Sequence, residues 1–300
     1  MISFAQQDPM FTQYMFNMNA INPAYAGSNE VINTAVLFRK QWVGVNGAPT
    51  TGTLSIDAPF WQNKLGMGLM VMMDKIGRTQ TFDVMTQYAY RIKTDEKGRL
   101  SLGLQAGFSQ YSFRGAEVAY SSNPTNADPV FSENIVRMLP NVGSGVWFNN
   151  ERLYIGFSVP RLINHQLIEN TQGLPAGEQN RAKQFRHYFI TSGYVFDMNE
   201  SLKLKPSFLL RGVEAAPLAY DLNVNLWYQE RFGAGLSYRS ASSLNVILEF
   251  HANNQLRFSY AYDFPTTQIR RASSGSHEIM MRYQFHKSKS DETVISPRLF

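Results

Sequence analysis

The stretch SLNVILEFHANNQLRFSYAYDF, residues 243–264, holds two runs of alternating side chains around a pair of asparagines. In the first run Leu244, Val246, Leu248 and Phe250 alternate with Asn245, Ile247, Glu249 and His251. In the second, Leu256, Phe258, Tyr260, Tyr262 and Phe264 oppose Arg257, Ser259, Ala261 and Asp263. A period of two belongs to a strand whose two faces meet different surroundings. Each run is close to the ~10 residues that a tilted membrane-crossing strand needs. Asn253-Asn254 supplies turn chemistry between them, so the stretch reads as a hairpin with one greasy and one polar face.

The same pattern extends in both directions. In KLGMGLMVMMDKIG (64–77), Met67, Leu69, Val71 and Met73 share a side; in GRLSLGLQAGFSQYSF (98–113), leucines 100, 102 and 104 alternate with Ser101, Gly103 and Gln105. Reading the whole chain this way places strands near 32–45, 50–60, 65–75, 79–93, 99–113, 140–149, 152–162, 186–197, 202–213, 218–228, 231–241, 243–252, 255–264 and 276–285. That is about fourteen, an even number, as bacterial outer-membrane barrels have. Every second connection is short: 61–64, 94–98, 150–151, 198–201, 229–230 and 253–254. The long ones, 114–139, 163–185 and 265–275, all fall in the alternate set. Transmembrane barrels keep short turns on the periplasmic side and long loops outside. The expected fold is therefore all-β, an up-and-down transmembrane barrel of about fourteen antiparallel strands in the outer membrane of a Gram-negative bacterium.

Composition agrees with that reading. Charged residues are 17% of the 300, against about a quarter in ordinary soluble domains, while aromatics reach 13%. No run approaches the ~18 uninterrupted apolar residues of a spanning helix. Charges on the lipid face are costly, so Arg91, Arg211, Asp221, Glu249, Arg257, Asp263, Glu278 and Arg282, all on the polar side of their strands, are expected inside. Glu249 and Arg257 flank the Asn253-Asn254 turn at nearly equal distances and are expected as cross-strand partners. With Glu278 and Arg282 they form an expected charge network in the lumen.

Chemistry for catalysis is not written in the chain. Without cysteine there is no thiolate nucleophile, disulfide or thiolate metal site. The histidines, His165, His187, His251, His277 and His286, lack metal-ligand spacing on one element. Gly66-Met67-Gly68, Gly143-Ser144-Gly145 and Gly233-Ala234-Gly235 sit inside strands with no following helix, so close packing or strand bending explains them better than a phosphate loop. The net charge of +5 is scattered rather than striped, which argues against nucleic acid. The expectation is a non-enzymatic protein without cofactor or metal.

The N-terminal part differs from the rest. Residues 1–5 end in Ser3-Phe4-Ala5 and are expected to be the end of a signal peptide. Residues 6–30 form an expected plug segment: Asp8-Pro9 opens a helix, and Phe11, Tyr14, Met15, Met18 and Ile21 recur at helical spacing. Asn22-Pro23 ends it, and Gly27 permits the reversal into the first strand. A short helix there would plug the lumen or cover its periplasmic mouth. The barrel is expected over 31–285, and 286–300 as a periplasmic tail.

Two blocks in this region, QQDPMFTQYMFNMNAINPAYAGS (6–28) and FRKQWVGVNGAPTTGTLSIDAPF (38–60), resemble the start of the PorP/SprF family of Bacteroidota outer-membrane proteins. The matching positions include Gln7-Asp8-Pro9, Gln13-Tyr14, Asn17, Asn22 through Gly27 with Pro23 and Tyr25, Arg39, Gln41-Trp42, Gly47-Ala48-Pro49 and Asp57 with Pro59. HEIMMRYQF (277–285) and SPRLF (296–300) resemble the family's end. The resemblance implies work with the type IX secretion and gliding machinery. Its implied partners are secreted adhesins, held through their C-terminal sorting domains, and a peptidoglycan-associated periplasmic lipoprotein; outer-membrane lipid follows from the barrel itself. The implied contact positions are Tyr14, Asn17, Asn22, Pro23, Tyr25 and Gly27 in the N-terminal segment, and Arg39, Trp42, Gly47 and Pro49 in the first hairpin. The competing expectation is a transporter of hydrophobic small molecules, like fatty-acid channels, which calls for an apolar pocket inside the barrel.

Overall fold

The computed structural model describes residues 9–94, 98–114, 134–165, 184–214 and 216–285. Its strands are β1 (Ile32–Lys40), β2 (Thr50–Phe60), β3 (Leu65–Ile76), β4 (Thr79–Lys93), β5 (Arg99–Arg114), β6 (Asn134–Asn149), β7 (Leu153–Val159), β8 (His187–Tyr194), β9 (Phe196–Asn199), β10 (Leu202–Val213), β11 (Ala219–Tyr228), β12 (Phe232–Arg239), β13 (Ser243–His251), β14 (Leu256–Pro265) and β15 (Ser276–Phe285). β8 and β9 are two halves of one strand broken at Val195, and both pair with β10. Fourteen strands therefore circle the barrel. Each pairs antiparallel with its neighbours in sequence, and β15 closes on β1 from Ile32↔Phe285 to Lys40↔His277. Closure leaves no edge, which is what lets strands cross lipid. No described helix is long and apolar enough to span a membrane.

The strand faces sort as the alternation requires. Outward positions carry large exposed apolar side chains, among them Leu104, Leu236, Leu248, Phe250 and Ile279. Buried positions carry Arg39, Asp57, Arg91, Asp221, Arg239, Glu249, Asp263, Glu278 and Arg282. This inside-out distribution is that of a barrel solvated by hydrocarbon. The eight charges expected to face inward are all buried or nearly so.

Two boundaries differ from the sequence reading. β1 stops at Lys40 rather than running to residue 45, because Trp42 and Gly44 take positive φ, 49° and 98°, and turn the chain into a loop. β6 starts at Asn134, six residues earlier than expected, despite Pro140. β7 pairs with β6 only over Ser144–Asn149, so Pro140 lies on a stretch with no β7 partner and forfeits no ladder bond there. The tips of the two longest expected loops, the Asp95–Lys97 part of one turn, Ser3-Phe4-Ala5 and the 286–300 tail lie outside the described residues.

Candidate functional site

Residues 9–30 occupy the lumen. The expected α-helix is replaced by three 3-10 turns, Tyr14–Phe16, Met18–Ala20 and Pro23–Tyr25. An amphipathic helix needs one wet face, and inside a barrel there is none. Thr12, Gln13, Asn17, Asn19 and Asn22 are as buried as Phe11, Tyr14, Met15, Met18 and Ile21 between them. Each of these polar residues bonds to the wall or to the segment itself rather than to water, and those bonds hold an irregular backbone in place.

The segment runs the length of the barrel. β1 begins at the end that carries the short turns, and there Gly27 N–H donates to Asp57 Oδ2 at 2.8 Å and Arg91 donates to the Ala26 carbonyl at 3.0 Å. Gly27 has φ +66°, which supplies the reversal expected of it. Asn19 donates to Asp57 Oδ1 at 2.6 Å, Gln87 donates to the Asn19 carbonyl at 2.7 Å, and Ser55 donates to Asn17 at 3.0 Å. Asn22 caps the third turn by accepting from Ala24 N–H at 2.9 Å, and donates to the Val146 carbonyl of β6 at 3.0 Å. Pro23 starts that turn, as its fixed φ favours. Tyr25 donates to Asn29 at 3.0 Å and meets Trp147 edge-on at 5.3 Å, with Tyr154 stacked behind at 5.0 Å. Gly103 faces the turn so closely that a Cβ would lie 2.6 Å from the Pro23 carbonyl carbon and overlap the Ala24 backbone.

The other end meets the barrel seam. Arg39 of β1 reaches Asp263 of β14 at 2.6 Å and Glu278 of β15 at 3.0 Å, with side chains 3%, 4% and 0% exposed. Thr12 N–H and Gln13 N–H donate to the two Glu278 oxygens at 2.9 and 2.8 Å, and the Thr12 hydroxyl donates to Asp263 at 2.7 Å. Arg239, paired with Asp221 at 2.9 Å, donates to the Phe11 carbonyl at 2.8 Å. Tyr14 hydroxyl accepts from Asn223 at 2.6 Å. Replacing Tyr14 with Phe is expected to cost about 1 kcal/mol of unfolding free energy, read as a lower urea midpoint for the protein in lipid vesicles.

The expected Glu249–Arg257 pair does not form. Across the hairpin Glu249 faces Ser259, and Arg257 faces His251. The turn is four residues, 252–255, and shifts the register by two from the expected one. Glu249 instead pairs with Arg282 and accepts from Trp227 Nε1 at 2.7 Å. The Arg282 guanidinium lies over the Phe16 ring at 4.6 Å, so this cluster also touches the luminal segment. Glu278 sits with Arg39 rather than with Arg282. The sequence reading did not single out Thr12, Asn19, Trp147 or Trp227 as site residues; Asp57 entered it only as a family position, though a carboxylate on a barrel strand's polar face was the available clue.

Trp42, Gly47 and Pro49 lie elsewhere, in the loop joining β1 to β2 at the end of the long loops. Half-buried Trp42 is held by Ser276, Val43 N–H donates to the Gly275 carbonyl at 2.8 Å, and Gly77 N–H donates to the Gly47 carbonyl at 2.8 Å. Pro49 is buried and its carbonyl accepts from Gln41 N–H at 2.9 Å. Three neighbouring connections are thereby stitched into one formed surface.

Beside the luminal segment lie two small voids, of about 80 and about 30 Å³. No described group of three or more His, Asp or Glu is arranged to hold a metal.

Comparison with known proteins places these features. The family described as "Type IX secretion system membrane protein PorP/SprF" matches residues 3–283. A sequence comparison with curated proteins returns no match. Among solved structures, the chain is similar to the Ralstonia pickettii toluene transporter TbuX, at TM-score 0.53 and 10% identity over 91% of this chain and 93% of that one. It is also similar to the CymD monoaromatic hydrocarbon channel, at TM-score 0.52 and 12% identity over 93% and 94%. At such identities the likeness concerns the barrel fold alone.

Proposed function

The chain belongs to the PorP/SprF family of type IX secretion system membrane proteins, and from that premise we propose that it works through the ends of its barrel, as a non-enzymatic docking protein. It is an outer-membrane component of that secretion system. Its proposed ligands are secreted surface proteins, adhesins among them, held by their C-terminal sorting domains during export or retention, in support of gliding. On the periplasmic side the proposed partner is a peptidoglycan-associated lipoprotein. Residues 6–30 serve as a plug in this reading, 31–285 as the barrel and 286–300 as a periplasmic tail.

The observation that carries the reading is the filled lumen. A segment bonded to the wall from Asp57 to Glu278 occupies the space a substrate would cross, which turns the reading to the two ends. Among the described residues, the stitched loop around Trp42 and Gly47 offers a formed surface at the outer end. Transport of hydrophobic molecules is not favoured, since voids of about 80 and about 30 Å³ fall well short of a ligand pocket of ~300 Å³ or more.

Removing the gene is expected to strip at least one sorting-domain protein from the cell surface, measured by surface proteomics and restored by the intact gene. Mild-detergent capture of the barrel should recover that same protein. Unchanged surface levels in the deletion strain would overturn the proposal.

A further inference from the structure

The lipid-facing wall is not uniformly convex. Over β11–β14, next to the short turns, Tyr228, Phe232, Phe250 and Phe258 stand in register as a continuous aromatic row. One pleat farther from those turns, Ala234 pairs across to Leu226 and Leu248. A methyl between two leucines and beneath an aromatic row leaves a depression, and the groove over Ala234 has a volume of about 730 Å³. Elsewhere on the wall large side chains such as Leu104 project freely, 65% exposed.

Arg231 stands at the groove's turn-side rim. Its guanidinium lies over the Phe232 and Phe250 rings, 6.0 and 5.9 Å from their centres. Among the described residues it has no carboxylate partner. The adjacent Glu230 is taken by Lys203 at 2.5 Å, so the rim keeps one uncompensated positive charge at the height where aromatic girdles mark the headgroup layer.

We propose that this groove binds one phospholipid of the periplasmic leaflet, its acyl chain lying over Ala234 and its phosphate on Arg231. The apolar floor fits hydrocarbon, and the free guanidinium supplies fork-shaped donors suited to a phosphate. The short turns beside it assign the leaflet. A net negative headgroup is preferred over a zwitterionic one, because the neighbouring Glu230 is paired with Lys203 rather than with Arg231.

Native mass spectrometry of the detergent-purified barrel tests this, with dioleoylphosphatidylglycerol and dioleoylphosphatidylcholine as probes. The wild-type barrel should retain one lipid and favour the glycerol headgroup. Arg231→Ala should reduce that preference by about fivefold. Ala234→Trp should abolish retention, while Leu104→Trp, on another part of the wall, should keep it. Both tryptophans point outward, and the slower migration of unfolded relative to folded barrel on gels confirms that each variant is closed. Equal retention in Ala234→Trp and wild type would overturn the proposal, as would a barrel dimer that the tryptophan abolishes, which would assign the groove to a second copy.

Discussion

Replacing Arg39 with alanine should destabilise the barrel by about 3–5 kcal/mol, the cost of leaving buried charge without its counter-ion. Among the described residues Arg39 is the one cation bonded to both Asp263 and Glu278, and all three side chains are essentially inaccessible to water. Losing it strands two carboxylates and the Thr12 hydroxyl that shares them. The expected result is a large fall in urea midpoint for the protein in lipid vesicles. A triple variant, Arg39→Met with Asp263→Asn and Glu278→Gln, should recover most of the loss, because it removes the unpaired charge along with the pair. The amide oxygen at 278 can still accept from one of the Thr12 and Gln13 N–H groups, while its NH2 faces the other, so the recovery stops short of complete. A loss below about 1 kcal/mol in the single variant would mean that the seam network contributes no more than a surface ion pair.

Deleting residues 9–27 should convert a barrel with no measurable current in planar bilayers into one with discrete open steps. The wall that the segment leaves behind carries Asp57, Arg91, Asp221, Arg239, Glu249, Glu278 and Arg282 inward, and an interior so charged fills with water. A fourteen-strand ring is well above the eight strands whose interior side chains alone fill the space. Gly103→Leu should reach a milder version of the same state without shortening the chain. Its side chain would occupy the place of the Pro23–Ala24 backbone, a conflict costing about 1–3 kcal/mol or more that the segment relieves by moving out. If the deletion variant folds and stays silent, something other than residues 9–27 closes the barrel.

The strands were legible because lipid on one side and a polar interior on the other impose a strict alternation, as in Leu244 to His251. Inward charge was legible for the same reason, and it survived an error in register. A shift of two residues keeps every side chain on its face, so Glu249 and Arg257 point inward as expected although neither is the other's partner. Which charges meet was not legible. Arg39 joins residues 224 and 239 positions away, and that pairing exists only once the ring has closed with one particular register. The luminal segment misled for a different reason. Phe11, Tyr14, Met15, Met18 and Ile21 recur at three- and four-residue intervals, which suits an α-helix seated on a flat surface. A 3-10 turn repeats every three residues, and an environment that contacts the chain from all sides rewards polar positions equally with apolar ones. The polar residues between them, with wall partners such as Asp57, Gln87 and Glu278, decided the conformation, and those partners lie far away in sequence.

The bond from Thr12 to Glu278 joins positions 266 apart, almost the whole length of the chain. Contacts of such separation form late, since the loop they close must first be ordered. The first part of the chain to be synthesised thus acquires its final neighbours from the last. With Arg39 on the opening strand and Asp263 and Glu278 on the closing pair, the seam charges meet only when the last strands reach the first. The luminal segment's bonds to Asp263 and Glu278 therefore wait for the last two strands.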